Sequence, residues 1–388
     1  MPSLIKATVA AMAAMTHAVI IGTPPFPLER SPSLPPRLAR GTSAGTIFPH
    51  LPHLAWHLLP TGSEQQFRGL APVSDAIAWA SGTNGTVLRT TDGGRTWTSV
   101  GPVLDPDPAD LQFRDIQAWS ADRAVMLSIG AGALSRIYHT RDGGATWALA
   151  FANADEAAFY NCMDFEDGDD DEAHGLAVSD PVDGTFRLIE TRDGGASWAP
   201  VDPSAAGASL PAARDGEFGF AASGTCIATQ SGRWYVATGG VDPGRVFRSA
   251  SRSGHQWEEV AANSSIRGGA SAGVFSVQFR DARHGIAVGG DFEDPSGAVD
   301  NAAWSDDGGA TWTKAERFPA GYRSGSAWVP GLGGVALAVG PTGSDFTVDG
   351  GRTWHAFYNG SFDSVACVQG PVCWASGSQG RIGRLTFE

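Results

Sequence analysis

The sequence predicts an all-β fold, a seven-bladed β-propeller in which an N-terminal strand closes the last blade. Three observations lead to this prediction: a turn-rich composition, an octapeptide that recurs along the chain, and a final repeat that stops before its outer strand. The 388 residues include 51 Gly, 24 Pro and 13 Trp. Such a composition is typical of many tight turns between short strands that bury aromatic side chains.

The recurring octapeptide reads S/T-x-D-G-G-x-S/T-W. Its five copies span residues 90–97, 140–147, 191–198, 305–312 and 347–354. A sixth, degenerate copy ends at Trp257 and has Arg252 where the aspartate stands in the others. Successive tryptophans are 50, 51, 59, 55 and 42 residues apart, which matches one four-stranded blade per repeat.

Each octapeptide predicts a structural turn. Its two glycines allow positive φ, its aspartate can accept backbone N–H groups across the turn, and its tryptophan can be buried between neighbouring blades. We therefore expect these residues to hold the fold and not to catalyse a reaction. They are Asp92 and Trp97, Asp142 and Trp147, Asp193 and Trp198, Asp307 and Trp312, and Asp349 and Trp354.

The segments around each octapeptide predict four strands, A to D, in each blade. In the first blade these strands are 67–74, 76–82, 85–92 and 96–103, and the order restarts at Phe113, Phe159, Glu217, Phe275 and Tyr322. Residues 373–382 repeat the pattern of residues 78–87, but the chain ends before another octapeptide. Residues 55–59 resemble an outer strand with its tryptophan, so we expect them to complete the last blade and leave no unpaired edge at the seam.

The N-terminal part of the chain lies outside the repeats. Residues 1–22 resemble a signal peptide, because Lys6 precedes an apolar stretch; an unprocessed N-terminal extension is the alternative. Residues 23–52 are proline-rich and are interpreted as a linker before a propeller at 53–388. No later segment has the roughly 18 apolar residues of a membrane span. We predict an exported protein, periplasmic or extracellular, with no membrane span in its mature form, and a monomer.

Charge and cysteine content restrict the classes of partner. A net charge of −14 with 27 Lys and Arg argues against nucleic-acid binding, which needs a basic face. Cys367 and Cys373 flank a hairpin-like turn and could form a disulfide, with buried free thiols as the alternative; no pairing is predicted for Cys162 and Cys226. No spacing resembles a zinc site or a dinucleotide fingerprint, so we expect no metal and no cofactor.

The octapeptide is the Asp-box signature, and the chain resembles the BNR repeat superfamily of propellers. Within it, residues 63–97, Phe113-Arg114-Asp115-Ile116 and residues 179–184 resemble the photosystem II stability/assembly factor-like family. That family includes exported bacterial relatives that often carry an "oxidoreductase" or "glycosyl hydrolase" label. The resemblance covers about residues 54–388. It implies a non-catalytic scaffold that binds a protein or envelope component during assembly.

The resemblance also indicates where a partner would bind. In Asp-box propellers the boxes lie on one rim, so the D–A and B–C loops emerge together on the opposite rim, where a site is expected. The candidate binding residues there are Arg68, Arg114, Arg323 and Tyr160.

The alternative is a secreted glycoside hydrolase or lyase of sialidase-like architecture that binds a glycan. Its candidate catalytic residues would be Asp180, Glu217, Asp291 and Tyr322. The chain lacks the Phe/Tyr-Arg-Ile-Pro motif of sialidases, so we assign no catalytic residue and favour the scaffold. Carboxylates in residues 179–185 and 291–301 could bind calcium or could be solvated turn residues. The acidic run 164–172 is interpreted as a solvated loop.

Overall fold

The computed structural model describes residues 54–103, 111–166, 171–202, 211–258 and 262–387, which form seven four-stranded antiparallel sheets. This architecture confirms the predicted seven-bladed β-propeller. The predicted signal peptide (1–22) and linker (23–52) lie outside the described residues, as do residues 167–170 of the acidic run.

The blades follow one another along the chain, and in each the strands run from A, the innermost, to D, the outermost. Blade 1 contains β2 (Phe67–Pro72), β3 (Ala78–Gly82), β4 (Val87–Thr90) and β5 (Thr98–Ser99). Blade 2 contains β6 (Gln112–Ala118), β7 (Ala124–Ile129), β8 (Arg136–Thr140) and β9 (Ala148–Ala152), with a short 3-10 turn at Gly132–Leu134. Blade 3 contains β10 (Tyr160–Phe165), β11 (Gly175–Val182), β12 (Thr185–Thr191) and β13 (Ala199–Pro200).

The second half of the ring repeats this order. Blade 4 contains β14 (Ile227–Gln230), β15 (Arg233–Ala237), β16 (Arg245–Arg248) and β17 (Ala262–Asn263). Blade 5 contains β18 (Ala272–Phe279), β19 (Gly285–Asp291), β20 (Ala302–Ser305) and β21 (Thr313–Lys314). Blade 6 contains β22 (Gly325–Trp328), β23 (Ala336–Gly340), β24 (Gly343–Thr347) and β25 (His355–Tyr358). Blade 7 contains β26 (Ser364–Val368), β27 (Val372–Ser376), β28 (Ile382–Phe387) and, as its outer strand, β1 (Leu54–Leu59).

The ring is closed by the N-terminal strand, as the sequence predicted. Strand β1 pairs antiparallel with β28, from Leu54 opposite Phe387 to Leu59 opposite Ile382. Trp56 packs against Phe362 with ring centroids 5.2 Å apart, and its Nε1 donates a hydrogen bond of 3.1 Å to Ser344 Oγ in blade 6. The innermost strands of successive blades contact each other all the way round, including β26 with β2.

The five complete octapeptides form nearly identical turns, here named box turns. In blade 2, Asp142 Oδ1 accepts the Thr146 N–H at 2.8 Å and Oδ2 accepts the Thr146 hydroxyl at 2.6 Å. These hydrogen bonds from Thr146 lower the pKa of Asp142 to about 2. Gly143 and Gly144 have φ of 74° and 83°, a region that side chains disfavour. Both carboxylate oxygens of the aspartate are therefore paired within the box turn.

The tryptophan that ends each box turn packs toward the preceding blade. Trp354 of blade 6 is 1% exposed and lies against Ile286 and Val288 of blade 5. Trp147 of blade 2 meets Trp79 of blade 1 edge to face at 6.2 Å and donates from Nε1 to the Val100 carbonyl at 2.7 Å. These rings thus contribute to the interfaces between blades.

Blade 4 departs from the predicted strand order. Its first strand begins at Ile227 and not at Glu217, because residues 220–225, here named the channel segment, cross the centre of the ring. The Ala221 carbonyl accepts a hydrogen bond from Arg114 of blade 2, and Ser223 Oγ donates to the Ser324 carbonyl beside blade 6. Thr225 Oγ1 donates to Ser276 of blade 5. With a further bond from Ser364 of blade 7 to the Ser223 carbonyl, the segment contacts four other blades and fills the channel instead of continuing a sheet edge.

Two disulfides form. Cys367 and Cys373 are paired directly across the β26–β27 hairpin. Cys162 of β10 is bonded to Cys226, just before β14, and therefore ties blade 3 to the end of the channel segment. The second bond was not predicted, because 64 residues separate the two cysteines and only the closed ring brings them together.

The two disulfides should differ in their effect on stability. Under the chain-entropy relation, a loop of 64 residues stabilises the fold by roughly 4 kcal/mol and a loop of 6 residues by roughly 2 kcal/mol. We expect Cys162→Ala/Cys226→Ala to lower the free energy of unfolding about twice as much as Cys367→Ala/Cys373→Ala. Guanidinium denaturation of both double variants checks this, and the reverse order would contradict it.

The box-turn tryptophan at position 354 should be a stability determinant. Trp354→Ala removes a fully buried ring between blades 5 and 6, so we expect a loss of about 3–5 kcal/mol in the free energy of unfolding. Trp354→Phe, which keeps most of the apolar volume, is the matched control and should lose less. An unchanged denaturation midpoint for the alanine variant would disprove the packing role.

Candidate functional site

The box turns and the A–B turns lie on one rim of the ring. In each complete box turn a glycine N–H donates to a carbonyl of the A–B turn of the same blade, as Gly93 does to Ala76 at 2.9 Å and Gly143 to Asp122 at 2.8 Å. The B–C and D–A loops meet on the other rim, where the Gly85 N–H donates to the Leu111 carbonyl at 2.9 Å. We name these the box rim and the site rim.

On the site rim, four inner strands begin with a β-bulge. The register shifts between Phe67 and Gly69, between Phe113 and Asp115, between Tyr160 and Cys162, and between Val274 and Ser276. The extra residues are Arg68, Arg114, Asn161 and Phe275. A bulge bends its strand and redirects the extra side chain. Two of the redirected side chains are the arginines that the sequence singled out.

Arg68 and Arg114 lie near enough to each other for the charge of Arg68 to act on Arg114, which is bonded to the channel segment. Arg114 is 5% exposed; it donates from Nη1 to the Ala221 carbonyl at 3.0 Å and from Nη2 to Gln112 Oε1 at 2.8 Å. Arg68 Nη2 lies 3.7 Å from Asp363 Oδ1, and Asp363 Oδ2 accepts a bond of 2.9 Å from Gln66 Nε2. Burial, and then the charge of Arg68, lower the pKa of Arg114 to about 9.

Aromatic rings form the other side of this site. Phe275 stacks on Phe220 of the channel segment at 3.7 Å and meets Tyr322 edge to face at 4.6 Å. Tyr322 is buried, which raises the pKa of its hydroxyl, and it senses the charges of Arg68, Asp363 and Arg114. Arg68, Arg114, Tyr322 and Asp363 are named the channel-mouth cluster.

Other predicted binding residues lie elsewhere. Arg323 is 1% exposed and donates from Nε to Asp345 Oδ2 at 2.6 Å, so its charge is neutralised within blade 6. Tyr160 is buried against Phe151 with ring centroids 5.4 Å apart, and burial raises the pKa of its hydroxyl. The structure therefore brings together two of the four predicted binding residues.

The candidate catalytic residues have separate partners. Glu217 forms a buried ion pair with Arg245 and accepts the Thr238 hydroxyl at 2.6 Å. Asp291 Oδ1 accepts the Glu293 N–H at 2.9 Å. Among the described residues, no hydrogen bond or ion pair joins any two of Asp180, Glu217, Asp291 and Tyr322. The channel-mouth cluster contains one carboxylate, Asp363, whereas glycoside cleavage ordinarily uses two that face each other.

Asp180 is the candidate with the most unusual environment. Its Oδ1 accepts hydrogen bonds of 2.9 Å from Asn161 Nδ2 and from the Gly219 N–H. Burial raises the pKa of Asp180 to about 6, and these two bonds only partly oppose the effect. The residue connects blade 3 to the segment before β14.

Sequence reasoning missed several residues of the site. Phe220 was not singled out because the channel segment was expected to be strand. Asp363 was missed, although Phe362-Asp363 occupies the same place as Phe67-Arg68: the Phe362 N–H donates to the Gly340 carbonyl and the Phe67 N–H to the Gly377 carbonyl. Aligning the inner strands on their buried phenylalanines would have found it.

A cavity of about 650 Å³ lies on the box rim, away from the channel-mouth cluster. It is lined by the A–B turns of blades 6, 7 and 1, with Pro330, residues 367–370, Val372 and residues 73–75.

Within the described ranges, no three His, Cys, Asp or Glu side chains converge as a metal site. No helix in that part of the chain has the length and hydropathy needed to cross a bilayer.

Comparison with known proteins identifies similar folds only. No protein-family model matches the chain, and no curated protein matches it. A solved structure described as YCF48 bound to D1 peptide aligns with a TM-score of 0.58 and 15% identity, covering 86% of this chain and 95% of the other. YCF48 from Cyanidioschyzon merolae aligns with a TM-score of 0.57 and 15% identity, covering 85% and 98%.

A WD40 propeller is similar to nearly the same degree. The WD40 β-propeller domain of Doa1 aligns with a TM-score of 0.56 and 11% identity, covering 86% of this chain and 97% of that one. At such low identities, these similarities support the propeller fold and no particular activity.

The raised pKa of Asp180 makes a testable contribution to stability. The folded-state pKa of Asp180 is about 6 and the usual value is 3.8, so the folded state binds the proton more tightly than the unfolded state does. The free energy of unfolding that this group contributes is therefore lost as pH rises from about 4 to 6. Asp180→Asn keeps an acceptor oxygen but cannot ionise. We expect the variant to match the wild type at pH 4 and to be more stable at pH 7.

Urea denaturation of both proteins across this pH range measures the difference. A stability difference that stays constant from pH 4 to pH 7 would show that Asp180 is not held in its protonated form by burial.

Proposed function

We propose that the chain is an exported, non-catalytic binding scaffold of the photosystem II assembly factor-like type, which engages a protein or envelope partner through the site rim. The observation that carries the proposal is the channel-mouth cluster. Two bulged arginines lie beside an aromatic wall at the site rim, and the cluster does not contain the facing carboxylates of a glycosidase.

Two exposed apolar side chains lie on the same rim. Leu134 is 40% exposed in the B–C loop of blade 2, and Val299 is 69% exposed in the B–C loop of blade 5. Both lie in loops that surround the channel mouth. Apolar side chains around a charged centre are typical of surfaces that bind polypeptides.

The similar structure described as YCF48 bound to D1 peptide is a precedent for peptide binding by a propeller of this kind. A propeller with this arrangement of blades is there described in complex with a peptide. Together with the sequence resemblance to the photosystem II assembly factor-like family, it favours a polypeptide partner over a glycan. The composition of the chain does not indicate a photosystem subunit as the partner.

Site-specific photo-crosslinking tests the proposal. A photoreactive amino acid is placed at Leu134 or Val299 on the site rim, or at the exposed Ala145 of a box turn as the matched control. In cells of the source organism, we expect both site-rim positions to crosslink to one common protein or envelope component and Ala145 not to do so. Equal crosslinking from Ala145 would contradict the choice of rim.

A further inference from the structure

We propose that the channel-mouth cluster is a receptor for one small anionic group, a carboxylate, held between Arg68 and Arg114. The inference specifies a ligand chemistry for the rim in the proposed function, but its evidence is independent of any partner. It rests on the balance of buried charge, on hydrogen-bond donors left without acceptors, and on the walls around them.

The buried charges of the cluster do not balance. Arg68 and Arg114 carry two positive charges, and Asp363 supplies one negative charge at 3.7 Å from Arg68. Of the described residues, no carboxylate lies within ion-pair distance of Arg114, although its side chain is buried. A buried charge is costly unless it is paired.

Other buried arginines of the chain show the usual solution. Arg245 is paired with Glu217, and Arg323 is paired with Asp345. In both pairs the guanidinium and the carboxylate are almost fully buried and in direct contact. The channel-mouth cluster is thus one carboxylate short of the pattern that the protein follows elsewhere.

The hydrogen-bond donors of the two arginines also indicate a missing carboxylate. The Nε atoms of both Arg68 and Arg114 are buried and have no hydrogen-bond acceptor among the described residues. The Nη atoms of Arg114 are bonded to Ala221 and Gln112, which fixes the guanidinium in place. A guanidinium offers several donors in a rigid fork that matches the two oxygens of a carboxylate.

The walls of the site favour a carboxylate over a phosphate. A single carboxylate neutralises the one unpaired positive charge, whereas a phosphate dianion would leave a net negative charge buried. Tyr322, Phe275 and Phe220 present apolar surface beside the arginines, which suits a carboxylate attached to carbon. Arg114 and Tyr322 are each 5% exposed, so we expect the ligand to be a small free acid or the end of a chain.

The electrostatics of Arg114 agree with this geometry. Burial and the neighbouring Arg68 lower the pKa of Arg114 to about 9, and a bound anion would oppose both effects.

Carboxylate titration tests the proposal. Acetate and N-acetylglycine are titrated into the full chain, and binding is followed by ligand NMR line broadening and by the melting temperature. We expect saturable binding to the wild type. Arg68→Gln and Arg114→Gln should each bind at least about tenfold more weakly, since each removes charged hydrogen bonds. Arg95→Gln, at an exposed arginine of a box turn, is the matched control and should bind as the wild type does.

Two results would overturn the proposal. The first is the absence of saturable carboxylate binding to the folded wild type. The second is unaltered binding by Arg68→Gln, a variant that keeps the Arg114 bond to the channel segment and therefore remains a fair test if Arg114→Gln unfolds.

Peptides separate the two sources of the carboxylate. A short peptide with a free C-terminus is compared with its amidated form. If the free peptide binds more tightly than acetate and the amidated peptide does not bind, the natural ligand is a chain terminus. If acetate, N-acetylglycine and the free peptide bind with equal affinity, the natural ligand is a small free acid. Failure of the rim crosslinks with intact acetate binding would overturn the proposed function alone.

Discussion

Closure of the ring is the constraint on which the rest of the structure depends. Each blade is a twisted sheet with two faces to bury, and each face can be buried only against a neighbouring blade. Blade 7 has its outer strand only because β1 pairs with β28, and Trp56 then packs between this blade and blade 6. The interfaces at the seam therefore cannot form until the two ends of the described chain meet.

The two rims of the closed ring meet different requirements. On the box rim, each aspartate is paired within its own turn, as Asp142 is with Thr146, and a glycine N–H joins the turn to the A–B turn of the same blade, so that rim is regular. On the site rim, the inner strands converge on the axis, and bulges together with the channel segment fill the space. The irregular rim consequently holds buried charges whose partners come from several blades, and such places are where binding sites arise.

Sequence predicted what is encoded locally and missed what depends on distant contacts. The octapeptides fixed the number of blades, and the unfinished last repeat revealed the closing strand. The first strand of blade 4 was predicted to begin at Glu217, but the channel segment crosses the channel because its partners lie in blades 2, 5, 6 and 7. Arg323 and Arg114 were both predicted to bind a partner. Asp345 neutralises Arg323, no described carboxylate lies within ion-pair distance of Arg114, and no local sequence pattern distinguishes the two arginines.

The local charge of the site is opposite to that of the whole chain. The net charge is −14, yet the channel-mouth cluster has an excess of positive charge, because it contains two arginines and one carboxylate, Asp363. Carboxylates in other blades bind other groups. Glu217 neutralises Arg245, and Asp180 holds Asn161 and the Gly219 N–H. An acidic surface repels anions in bulk, so only a ligand that gains direct guanidinium contacts in the enclosed mouth overcomes that repulsion. The proposed selectivity for a carboxylate follows from this contrast between the negative charge of the whole chain and the positive charge of the channel-mouth cluster.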